Sequence, residues 1–115
     1  MVFVFGSNLA GRHGKGAALF AKMNMGAISG QGEGLQGQSY AIPTKGYNLE
    51  VLDLSVVEAG LHRFLKFANE NRGMTFELTP IGTGLAGYRK GQIWAMLKRG
   101  YVPSNVLLTS SWITA

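Results

Sequence analysis

Gly11, Gly14 and Gly16 fall within one short stretch, GRHGKG, which follows the apolar run VFVF and precedes the helix-like GAALFAKM. Glycine has no Cβ, so such a stretch brings backbone N–H groups close to a partner, and a helix start adds the positive end of its dipole. The chemistry on offer is anion recognition, phosphate above all. A second stretch, GTGLAG, places glycines at 82, 84 and 87 with no acidic residue among them. Two such loops leaving neighbouring strand ends could hold a diphosphate between them; the alternative is that the glycines serve chain turns alone. Neither stretch is a P-loop, because no Gly-Lys is followed by Ser or Thr. The dinucleotide fingerprint is also missing its acidic residue after a second strand. Nucleoside triphosphate hydrolysis and nicotinamide redox chemistry are therefore not supported.

A few side chains could add chemistry to those loops. Lys45 closes YAIPTK, either as an amine nucleophile or as a solvated turn lysine. Asn8 in FGSN is either a ligand contact or the former of an Asx turn. His13 could stack on a ligand or donate to phosphate, or simply be exposed. Tyr88 and Trp112 follow strand ends, where an aromatic either flanks a base or ribose or packs in the core or at its rim. His62 reads as structural, and Trp94 and Met96 as packing under the sheet. The chain has no cysteine, which excludes disulfides and thiolate catalysis. With two histidines in all, a metal centre is not expected, and no cofactor is implied.

Eleven Lys and Arg against six Asp and Glu give a formal charge of +5, which favours anionic partners. The cations are dispersed rather than blocked, so phosphate-bearing small molecules and nucleic acid both qualify. No nucleic-acid-binding motif is visible. The 115 residues, 46% hydrophobic and 15% charged, suit one compact domain over 1–115. No apolar run is long enough for a membrane span, and MVFVFGSN lacks the regions of a signal peptide. A soluble, cytoplasmic protein with no membrane partner is expected.

The elements that must position these residues can be read from period and punctuation. VFVF reads as a central strand covered on both faces, and a helix is expected from about Gly14 to Asn24. The stretch 26–38 holds five glycines and reads as a loop, open to motion. SYAIP is a second strand ending at Pro43, and LEVLDL a half-exposed strand or extended passage. Ser55 to Asn71 is a helix in which Ser55 and Glu58 have capping-box spacing and Val57, Leu61, Phe64, Leu65 and Ala68 form one apolar stripe. MTFELTP is a third strand, residues 90–98 a short helix, and NVLLT the last strand. Alternating strands and helices predict an α/β fold, a mostly parallel sheet with helices on its faces. Both glycine loops then lie at one edge of the sheet, where such folds bind ligands.

Three stretches in register, FGSN with HGKGAALFAKM, then YAIPTK, then PIGTGLAGY, resemble the macrodomain family across about residues 2–110. The likeness is to the branch that includes the terminal ADP-ribose glycohydrolase and the bacterial antitoxins that remove ADP-ribose from DNA. It implies a compact three-layer α/β/α fold, minimal at its N-terminus because the leading strand of larger macrodomains is missing. It also implies an ADP-ribose pocket. By that likeness Gly6, Ser7 and Asn8 are ligand-binding, with Asn8 near the distal ribose, and His13, Gly14, Lys15, Gly16 and Ala17 form the first loop. Thr44 stands beside Lys45, and Ile81, Gly82, Thr83, Gly84, Leu85, Ala86, Gly87 and Tyr88 form the second loop. Lys45 matches the lysine that attacks the anomeric carbon in the glycohydrolase, an attack that requires a neutral amine. The family's aspartate after Gly-x-Gly-Leu is replaced here by Ala86, and Glu33, Glu50 and Asp53 are the carboxylates that could substitute. Two readings follow: a hydrolase of ADP-ribosyl linkages, or a non-catalytic binder. The binder would read ADP-ribosylated nucleic acid or protein, or sequester an ADP-ribose-derived nucleotide signal.

Overall fold

The computed structural model describes residues 1–113. Five strands form one sheet: β1 (Val2–Asn8), β2 (Gly34–Gln36), β3 (Ser39–Lys45), β4 (Phe76–Leu78) and β5 (Val106–Leu108), in the order β2-β3-β1-β4-β5. Only β2 runs antiparallel to its neighbour; β3, β1, β4 and β5 are parallel. Helices α1 (Gly16–Asn24), α2 (Leu54–Glu70) and α3 (Lys90–Lys98) cover the faces, and a 3-10 turn spans Ser110–Trp112.

The two-residue period of β1 divides the interior. Val2 and Val4 join Tyr40, Ile42, Phe76 and Leu78 beneath α2 and α3, whereas Phe3 and Phe5 meet Ala18, Ala21 and Ala41 beneath α1. An uninterrupted apolar strand is what two covered faces require. The α2 stripe is buried as its spacing predicts, and Phe64 packs edge-on against Phe76 with ring centres 5.3 Å apart.

Three expectations change and one narrows. Ser55 and Glu58 do not form a capping box: α2 begins after Asp53, and the Glu58 carboxylate takes two bonds from Arg99, at 2.7 and 2.8 Å. This bidentate pair ties α2 to the end of α3. Of the two readings of LEVLDL, a strand or an extended passage, the strand is excluded, because its only ladder contact is Val51 opposite Lys45 before α2 starts. Trp94 does not lie under the sheet: it is 42% exposed and rests edge-on against Trp112, while Met96 is buried.

The stretch 26–38 is not a free loop. It contributes β2, and its glycines let chain segments touch: a Cβ on Gly11 would lie 2.4 Å from the Gln31 nitrogen, and one on Gly37 2.7 Å from Gly26 Cα. Buried Gln36 then fixes the segment. Its Oε1 accepts from Ile28 N–H at 2.8 Å, and its Nε2 donates to the Gln31 and Gly34 carbonyls.

Candidate anion-binding site

Strands β1 and β3 end side by side, Asn8 opposite Lys45, and β4, which runs the same way, ends earlier at Leu78 opposite Val4, so the loops that follow all three leave toward one edge of the sheet. They enclose a cavity of about 830 Å³, inside the range of about 300–1,000 Å³ usual for small-molecule sites. The strand ends approach closely because Gly6 has no side chain: a Cβ there would lie 3.1 Å from the Gly82 nitrogen. The two glycine loops also meet, since Leu85 Cδ1 lies 3.9 Å from where a Gly16 Cβ would stand.

Helix α1 opens into the cavity. Its first intrahelical bond runs from Leu19 N–H to the Lys15 carbonyl, and Lys15 supplies no side-chain cap. The N–H groups of Gly16, Ala17 and Ala18 thus have no helical carbonyl to bond, and all three residues line the cavity. Gly16 adopts φ +58°, a left-handed conformation that glycine tolerates best.

Most neutral polar side chains here serve the frame. Asn8 Oδ1 accepts from Arg12 N–H at 2.9 Å and Asn8 Nδ2 donates to the Arg12 carbonyl at 2.8 Å, so this residue staples its own loop. The Ser7 hydroxyl donates to the Gly32 carbonyl, and Thr44 donates to the Ser7 carbonyl at 3.2 Å. Thr79 and Thr83 donate to the Val4 and Pro80 carbonyls, both at 2.7 Å. Three cations remain at the wall: Arg12 and Lys15, both exposed, and half-buried Lys45. No carboxylate and no aromatic side chain lines the cavity among the described residues.

Of the residues read from the sequence, Gly6, Ser7, Asn8, Gly14, Lys15, Gly16 and Ala17 line this cavity. So do Thr44, Lys45, Ile81, Gly82, Thr83, Gly84, Leu85 and Ala86. Three do not. His13 is buried, its Nε2 3.2 Å from Gln36 Oε1 and its ring edge-on to Phe5, so it braces the first loop from behind. Gly87 forms the turn that bonds its N–H to the Gly84 carbonyl at 3.1 Å. Tyr88 packs on the core, where burial, and then the charge of Asp53, raises its phenol above the ordinary value. Trp112 is likewise a packing residue whose indole N–H donates to the Leu78 carbonyl at 2.8 Å.

The candidate substitute carboxylates stand elsewhere. Glu33 makes a bidentate pair with Arg63 at 2.7 and 2.9 Å, Glu50 Oε1 accepts from Asn48 N–H at 3.1 Å, and Asp53 precedes α2. Arg12, Ala18, Leu49, Thr79, Pro80 and Ser111 line the cavity without having been singled out. Arg12 stands inside GRHGKG and could have been read with its neighbours; Leu49, an apolar residue in a polar turn, gave no signal.

No family model matches the sequence, and no curated protein matches it. Solved structures do match. The macrodomain of Mycobacterium tuberculosis DarG aligns over 93% of this chain and 86% of its own, with a TM-score of 0.66 at 20% identity. A protein of unknown function from Bacteroides thetaiotaomicron aligns over 93% and 85%, with a TM-score of 0.60 at 18% identity. The chain has a macrodomain-like fold. Within this macrodomain-like frame the cavity lies at the carboxyl edge of β1, β3 and β4, with Lys45 at the end of β3 and Ala86 in the second glycine loop. Among the described residues, no helix is long and apolar enough to cross a membrane and no cluster of metal-ligating side chains occurs.

Proposed function

We propose that the cavity binds ADP-ribose, either free or as the modification carried by a nucleic acid or protein. One observation carries this reading: the uncapped start of α1 and the loop around Gly82 share a cavity walled by Arg12, Lys15 and Lys45 and by no carboxylate. Open N–H groups, a helix dipole and cationic side chains are together complementary to a diphosphate. The macrodomain-like fold and the three sequence stretches in register support ADP-ribose over other diphosphates. Calorimetry against ADP-ribose, NAD, ATP and a short DNA tests the reading, with saturable binding tightest for ADP-ribose as the expected result. Lack of affinity for ADP-ribose overturns it. If the ligand is attached to nucleic acid, affinity for the modified strand falls steeply with salt, whereas a flat salt response leaves the free nucleotide.

The chemistry at the bound ribose has two readings. Lys45 in the wall supports hydrolysis, in which Nζ as the neutral amine attacks the anomeric carbon, the bonding pair leaves with the carrier, which takes up the proton lost from Nζ, and water later cleaves the Nζ–carbon bond to release the sugar and return the amine. Ala86 and the carboxylate-free wall favour binding without turnover, since no carboxylate there could serve as general base. Mass spectrometry after incubation with an ADP-ribosylated oligonucleotide separates them: a Lys45 adduct or released ADP-ribose supports the hydrolase, and saturable binding with neither supports the reader.

A further inference from the structure

The chain returns from Lys45 toward α2 through a tight turn. Gly46 N–H donates to the Glu50 carbonyl at 2.8 Å, and Leu49 N–H donates to the Gly46 carbonyl at 3.1 Å. Glu50 Oε1 also takes Asn48 N–H and lies over Gly46, 2.1 Å from where a Cβ would stand, so a side chain at 46 would displace the Glu50 carboxylate. In a turn of this kind the residue before the closing pair is left-handed, and glycine or asparagine ordinarily fills it. Here it is Leu49, with φ +63°.

That choice is out of keeping with the rest of the chain. Eight other residues have positive φ and every one is glycine; Leu49 is the one side-chain-bearing residue among the described residues held this way. In this conformation Cβ crowds the following carbonyl oxygen, an avoidable strain for a leucine. Core packing does not account for it, since Leu49 belongs to neither buried cluster and is 41% exposed, while nearby Leu52 packs against the core. Leu49 does line the cavity, beside Lys45.

We infer that Leu49 is a specificity-determining ligand contact, held in a strained turn so that its aliphatic side chain covers an uncharged ring, sugar or base, next to the phosphates. The inference rests on the nucleotide reading above. An aliphatic group has nothing to offer a phosphate, and in a cavity without an aromatic wall a ring face can be buried only against aliphatic side chains, here Leu49 and Leu85 together with Pro80 and Ile81. Strained backbone retained at a cavity wall, where glycine would relieve it, fits a side chain kept for contact.

Leu49→Gly and Leu49→Asn test the assignment, since both residues accept a left-handed backbone and neither can cover an apolar ring. Each variant would be titrated calorimetrically with ADP-ribose, ADP, ribose 5-phosphate and pyrophosphate, and melted thermally. Both are expected to keep or raise the melting temperature while ADP-ribose affinity falls about fivefold to thirtyfold and pyrophosphate affinity stays level. Loss for ADP places the base against Leu49; loss for ribose 5-phosphate alone places the distal sugar there. Unchanged ADP-ribose affinity in both variants overturns the inference, as does a parallel fall for pyrophosphate. A wild-type protein that binds none of the four ligands overturns the nucleotide reading itself, a different failure.

Discussion

Gly6 on β1 and Gly82 in the loop after β4 lie so close that a Cβ on Gly6 would stand 3.1 Å from the Gly82 amide nitrogen. This contact lets the second glycine loop fold across the end of the central strand and face the first. Gly82 is constrained from its other sides as well: with φ +74°, a Cβ there would meet Tyr88 Cδ2 at 2.7 Å and Thr44 Cγ2 at 3.3 Å.

Gly82→Ala is therefore expected to cost about 1–3 kcal/mol of stability, from strained backbone and overpacking together, and to weaken nucleotide binding. Gly14→Ala is the contrast. Gly14 lines the cavity, has no atom within 4 Å of its would-be Cβ, and lacks a positive φ. Its stability should change by less than about 0.5 kcal/mol, while its methyl group narrows the cavity proposed to take the anion. Urea melts read the first quantity and calorimetry with ADP-ribose the second.

Arg12 and Lys15 are exposed, line the cavity and belong to none of the ion pairs among the described residues. Replacing either with Gln should leave the melting temperature unchanged and lower ADP-ribose affinity about threefold to tenfold at low salt. The wild-type advantage should shrink as ionic strength rises through the range where exposed charges are screened. An equal loss at all salt concentrations would mean that these side chains act by shape instead of charge.

The sequence disclosed what depends on local periodicity. VFVF reads as a doubly covered strand because four apolar residues in succession leave no polar face, and the α2 stripe follows from its spacing alone. The glycine loops were legible because backbone exposure is a composition signal. Hidden from it were features created by distant partners. Glu58 turns to Arg99 rather than to its own helix start, and His13 is drawn behind the loop by Gln36, twenty-three residues on. The edge strand β2 was obscured because the glycines around it suggest looseness, when they let Gly11 approach Gly30 and Gly26 approach Gly37.

Gln36 should matter to the fold as a group with every bond in use. Gln36→Leu would leave the Ile28 N–H and the His13 Nε2 without their shared acceptor, and the Gln31 and Gly34 carbonyls without a donor. Stranded buried groups cost about 1–3 kcal/mol each when water cannot reach them. A total loss of about 2–4 kcal/mol is expected, with faster amide exchange over residues 26–38. A small loss with unchanged exchange would show that the segment holds its place by backbone contacts alone.

Tyr40 gives the fold an alkaline limit. Its ring packs between Phe64 and Phe67, with centres 5.0 and 5.3 Å away, and burial, aided by the charge of Glu33, pushes its phenol up from 10.0 to about 12. The unfolded chain releases this proton near its ordinary value, while the folded chain keeps it. Between roughly pH 10 and 12 the folded state binds more protons, so stability falls as pH rises through that window and is fully present below it. The loss attributable to Tyr40 is on the order of 1–2 kcal/mol. Tyr40→Phe keeps the ring and removes the titration, so subtracting its pH profile from the wild type, by urea denaturation between pH 8 and 11.5, isolates this group from the lysines and from Tyr88. Parallel profiles would show that the Tyr40 hydroxyl reaches solvent before the chain unfolds.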